Sequence, residues 1–64
     1  MNKEQYRDIL LDQLDGYEKA LDNAFERYKK ATTLVNKLVE LKYVQRSARH
    51  IDEVLRALKK NEEG

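Results

Sequence analysis

Residues 10–38 read LLDQLDGYEKALDNAFERYKKATTLVNKL, and their spacing decides the fold. Leu10, Leu14, Tyr17, Leu21, Ala24, Tyr28, Ala31, Val35 and Leu38 follow one another by four and three in strict alternation. Such steps average 3.5 residues, the repeat that keeps one stripe of a helix turned toward a partner. The stretch therefore predicts a long amphipathic helix with a seam that must be covered. Flanking positions widen the seam: Leu11, Phe25 and Val39 on one side, Tyr6, Ala20, Leu34 and Leu41 on the other. A face this wide suits a three- or four-helix bundle better than a two-stranded coil.

Toward the N-terminus the helix start is well marked. Asn2 is a good N-cap residue, and Gln5 stands at the reciprocal position of a capping box. Met1 can staple onto Tyr6, and Glu4 and Asp8 suit the positive end of the helix dipole. Gly16 follows Asp15, a turn-type pair, yet it falls at an outward position and the register passes through it unchanged. A single helical Gly costs about 1 kcal/mol relative to Ala, which bundle packing absorbs. The helix is therefore expected to continue through Gly16. Ala31, Thr32 and Thr33 are poor helix formers, but the register survives there too.

Toward the C-terminus the register fails after Leu38. Lys42 and Gln45 occupy the next seam positions, and the apolar residues shift to Leu41 and Val44, then Ala48, Ile51, Leu55 and Leu58. Such a slip is either a turn between helices or a stammer in one bent, continuous helix. The reading favours a turn within 42–47, with Ser47 as N-cap of the next helix. The expected fold is all-α: a helix over 3–43, a turn at 42–47 and a short helix over 48–60 folding back antiparallel. Lys59 and Lys60 would lie in its last turn, Asn61 would cap it, and residues 61–64 would fray. The whole chain makes one small helical domain, and the short helix would leave much of the seam, chiefly residues 10–24, uncovered.

Sixty-four residues without Cys cannot rely on disulfides, and a single His is too few for the usual structural zinc site. Chains this short are marginal alone, so the uncovered seam predicts a homodimer, a four-helix arrangement of two hairpins. The charge pattern supports association. Residues 1–28 carry net −3 and residues 29–60 net +6, a polarity that favours head-to-tail pairing.

The composition also narrows function. At 39% charged and 41% hydrophobic, the chain is neither disordered nor membrane-spanning. No secretory h-region is seen and Cys is lacking, so a cytoplasmic setting is expected. Ser47 lacks a nucleophile-elbow context and is read as a cap. His50 stands beside Arg49 without a second His or a Cys and is read as a surface residue. The carboxylates lie mostly off the seam, where solvated charge is the default. No phosphate loop, dinucleotide fingerprint or zinc motif occurs. No catalysis, cofactor or metal is expected.

Two function classes remain. The first is a small interaction module, an adaptor, assembly or regulatory subunit, of a kind common among phage, plasmid and bacterial regulators. Its partner surface would comprise Leu10, Leu14, Tyr17, Leu21, Ala24, Phe25, Tyr28, Ala31, Val35 and Leu38, and its partners would be a second copy and another protein. The alternative is a nucleic-acid-binding regulator. Lys42, Arg46, Arg49, His50 and Arg56 crowd the C-terminal half, and residues 38–60 loosely resemble a helix-turn-helix, whose second helix reads base edges. Tyr43 would pack under the turn or anchor an interface.

Overall fold

The computed structural model describes residues 2–63. They form two α-helices, α1 (Lys3–Lys30) and α2 (Leu34–Glu63), packed as an antiparallel hairpin 48 Å long and 15 by 13 Å in section. The all-α hairpin expected from the sequence is present. Its helices, however, are nearly equal, 28 and 30 residues, where a long and a short one were expected.

The start of α1 is built as its sequence indicates. The Gln5 N–H donates to Asn2 Oδ1 (2.8 Å), and the Asn2 N–H donates to Gln5 Oε1 (3.2 Å), closing the capping box. The expected Met1 staple lies outside the described residues. The helix runs through Gly16 without a break.

The reversal occurs at residues 31–33 and not at 42–47. Three local features produce it. Ala31 leaves the helix with extended backbone (φ −66°, ψ 133°), while its N–H still donates to the carbonyls of Arg27 and Tyr28. Arg27, Lys29 and Lys30 place positive charge on the C-terminal turn of α1, opposite the negative end of the dipole. Thr33 then starts α2: its Oγ1 accepts from the Asn36 N–H (3.1 Å) and its carbonyl from the Lys37 N–H (3.0 Å), the geometry of a threonine N-cap. Among the described residues none adopts a left-handed conformation, so the turn does not need Gly. A reversal near the chain's midpoint also lets the whole of α2 cover α1, some 40–45 Å at 1.5 Å per residue. A 48–60 helix would have covered about a third.

Residues 42–47 are therefore interior to α2. The alternative of a stammer in a continuous helix is what the structure shows. The inward stripe of α2 is Lys37, Leu41, Val44, Ser47, Ile51, Val54, Leu58 and Asn61, and two successive steps of three, at 41–44–47, account for the slip. Ser47 is half-buried in mid-helix, not a cap. Asn61 is still helical and donates from Nδ2 to the Lys3 carbonyl across the hairpin (3.3 Å). The helix extends to Glu63, beyond the expected end near 60.

On α1 the seam from Leu10 to Ala31 faces α2 as its spacing requires. Leu10 and Ala24 are buried, and Leu14, Tyr17, Leu21, Tyr28 and Ala31 are half-buried. Val35 and Leu38 continue the count only by coincidence. They follow the reversal, point away from α1 and are 70% and 60% exposed. In α2 the buried residue is Val54 at 6%, whereas Leu55, expected in the core, is 49% exposed and Ala48 is exposed. Among the described residues only Leu10, Ala24 and Val54 are buried, so the core of one hairpin is thin.

Candidate interaction surfaces

Four contacts set the level of one helix against the other. Asn61 meets Lys3 at the open end, the Tyr17 and His50 rings stack at 4.8 Å in the middle, Arg27 Nε reaches Glu40 (2.8 Å), and Lys37 Nζ donates to the Tyr28 carbonyl (3.2 Å) near the turn. This register places Leu11 level with Leu55 and Phe25 level with Leu41.

In an antiparallel helix pair, the residue after each inward position lies on the same side of the pair in both helices. On that side α1 presents Leu11, Glu18 and Phe25, spaced by seven. Alongside, α2 presents Leu34, Ala48 and Leu55 on a track spaced by seven that also passes through the half-buried, inward-turned Leu41, with Leu38 beside it. Leu11, Phe25, Leu34, Leu38 and Leu55 are all exposed. This edge holds two apolar tracks, with Glu18 within the α1 track and Asp15, Asp22 and Asp52 along the outer flank of the same side.

The opposite edge differs in character. It carries Tyr6, Ile9, Gln13, Ala20, Arg27, Val39, Tyr43 and His50, of which the large hydrophobic Tyr6, Ile9, Val39 and Tyr43 are exposed, and its charged groups Arg27 and His50 are engaged within the hairpin. Arg27 bridges Glu40 and lies 5.8 Å from the Tyr43 ring centroid, while His50 stacks on Tyr17 and stands 3.9 Å from Glu53. Tyr43 does not sit under a turn; it packs beside Arg27 on a continuous helix.

The sequence-derived interface residues thus divide. Leu10, Leu14, Tyr17, Leu21, Ala24, Tyr28 and Ala31 are used inside the hairpin, Phe25 stands on the apolar edge, and Val35 and Leu38 point outward. The leftover surface is the flank of the seam, not the seam between residues 10 and 24. Leu34 was expected as a flanking residue of the seam, whereas Leu55 was expected in the core, and its place on a second heptad track in α2 becomes visible only once the turn is placed.

The basic residues divide as well. Lys42, Arg46, Arg49 and Arg56 share the outer face of α2, where Glu53 interrupts them and Asp52 pairs with Arg56 (2.9 Å). His50 does not join them. The turn that a helix-turn-helix needs is missing, because residues 34–63 are one helix.

Folding also converts the charge asymmetry along the sequence into one along the hairpin axis. The Tyr17–His50 stack marks the middle. On the turn side, residues 17–49 carry eight basic and four acidic side chains, net +4. On the open side, residues 1–16 and 50–64 carry five basic and eight acidic ones, net −3.

Among the described residues no group of three or more His, Cys, Asp or Glu side chains could hold a metal ion, and no helix is long and apolar enough to cross a membrane. The surface clefts are open to solvent. One lies at the open end among Lys3, Tyr6, Ala57, Lys60 and Asn61, another beside Val39, Lys42, Tyr43 and Arg46. Comparison with protein-family models, with curated proteins and with solved structures gives no match.

Proposed function

We propose that this chain is a small non-catalytic protein–protein interaction module that works as part of a larger helical bundle. The carrying observation is the apolar edge: five large exposed hydrophobic residues from both helices, against a core of three buried residues among those described. A two-helix layer with so thin a core gains most by docking its open side on further helices. An exposed apolar strip of this kind marks a binding surface. A cytoplasmic setting belongs to the same proposal.

The test compares the wild-type chain with the Leu11→Glu/Leu55→Glu pair. Both side chains are more than two-fifths exposed, so helical content should survive while self-association and binding of an apolar fluorescent dye are lost. Unchanged association and dye binding in the pair would sink the module reading.

A second reading, nucleic-acid binding, is favoured by the net +4 of the turn half. Electrostatic binding is strongest at low salt. A gel shift on DNA and RNA at roughly 50 mM salt that is abolished by Arg46→Glu/Arg49→Glu would support it. We expect no strong shift, because the open half is acidic and lies within a few Debye lengths of the basic one, each about 10 Å.

A further inference from the structure

Resting on the module reading, we infer that the occupant of the apolar edge is a second copy of this chain, docked antiparallel so that the turn of each hairpin lies at the open end of the other. Three properties of the edge carry this.

The first is self-complementarity. A two-fold axis perpendicular to the helices, passing at the level of Glu18 and Ala48, returns the edge onto itself. It sets Leu11 against the partner copy's Phe25 on the α1 track, and Leu55 against the partner copy's Leu41 on the α2 track. The exposed Leu11, Phe25 and Leu55 thus meet apolar side chains, with small Ala48 at the centre where the two α2 helices approach, while Leu34 falls level with the partner copy's Glu62 and Glu18 with the partner copy's Glu18. Isologous two-fold contacts of this kind are the commonest route to a homo-oligomer.

The second is charge. Two two-fold arrangements can close this edge. With the turns at the same end, the +4 halves would lie together and so would the −3 halves. With the turns at opposite ends, each +4 half covers a −3 half. Complementary fields choose the second.

The third is area. The hairpin as a whole is 48 Å long and 15 Å across, so docking over the full face would cover roughly 700 Å² per copy, close to the ~800 Å² per partner of a standard stable interface. The result is a four-helix bundle in which the thin core of each hairpin becomes one layer of a two-layer core.

The experiment measures size and orientation together. Sedimentation equilibrium of the full chain at micromolar concentration should give a dimer. Phe25→Glu/Leu55→Glu should weaken that dimer by roughly thirtyfold or more while far-UV dichroism stays helical. Because the chain has no Cys, Thr32→Cys carries a single nitroxide at the exposed turn. Antiparallel docking predicts an inter-label distance on the order of the hairpin's 48 Å length. Docking with the turns together predicts ~20 Å, about two interhelical spacings, and would overturn the arrangement. A monomer would overturn the inference as well. If that monomer binds an apolar dye through its edge, the module reading survives with a different partner; if it binds none, both fall.

Discussion

Placing the reversal at residues 31–33 can be tested against the alternative at 42–47 by moving a two-glycine insertion between them. Inserted after Thr32, two glycines lengthen the loop between Lys30 and Leu34 from three residues to five. Neither helix changes register, and the added loop-closure entropy is about 0.5 kcal/mol. Inserted between Gln45 and Arg46, the same residues rotate everything downstream by ~200°. Ile51, Val54 and Leu58 then leave the inward face. Full burial of each is worth roughly 1.5–3 kcal/mol. With Ile51 and Leu58 half-buried and Val54 buried, the loss is on the order of 4 kcal/mol. Two helical glycines add about 2 kcal/mol more. A 64-residue chain has a total stability of roughly 3–10 kcal/mol, so the second insertion should remove most of it. Thermal and urea unfolding followed by far-UV dichroism reads both. The turn insertion should lower Tm by about 2–4 °C, and the mid-helix insertion should leave a chain largely unfolded at 25 °C. Equal effects, or a turn insertion costing more than about 2 kcal/mol, would refute the placement of the reversal and the register derived from it.

Three further predictions follow from the same structure. Val54→Ala should cost about 2 kcal/mol in urea unfolding, from two lost methyl groups and a residual cavity, whereas the chemically identical Val35→Ala, at a 70% exposed site, should stay within about 0.5 kcal/mol; comparable costs would contradict the inward face assigned to α2. Thr33→Ala should destabilise by about 1 kcal/mol through loss of the cap on Asn36 N–H, with Thr33→Ser restoring most of it. Gly16→Ala should raise stability by about 0.5–1 kcal/mol, since a Cβ there meets nothing within 4 Å; a lower Tm would show that Gly16 is contacted in the assembled protein.

Periodicity alone determined much of this molecule. Side chains three and four residues apart must share a helix face, so the inward stripe from Leu10 to Ala31 was legible without coordinates. The capping box of Asn2 and Gln5 was equally legible, because its partners are three residues apart and its energetics are local. Continuity through Gly16 followed from an unbroken register on both sides. The charge imbalance between the two ends of the chain was also present in the sequence, although not its direction in space.

The position of the turn was decided by tertiary structure. Locally, Ala31-Thr32-Thr33 and residues 42–47 were both possible breaks, and neither carries Gly or Pro. The heptad count even ran on through Val35 and Leu38, where it no longer had physical meaning because the chain had reversed. What separates the two sites is how much of α1 each lets the second helix cover, a non-local quantity that no window of sequence contains. Everything downstream depends on that choice: Val54 instead of Leu55 in the core, Ser47 and Asn61 inside the helix, the outer-face grouping of Lys42, Arg46, Arg49 and Arg56, and the second heptad track of Leu34, Leu41, Ala48 and Leu55. The apolar edge and the axial charge polarity exist only in the folded hairpin, because each joins residues from two helices that are adjacent in space and distant along the chain.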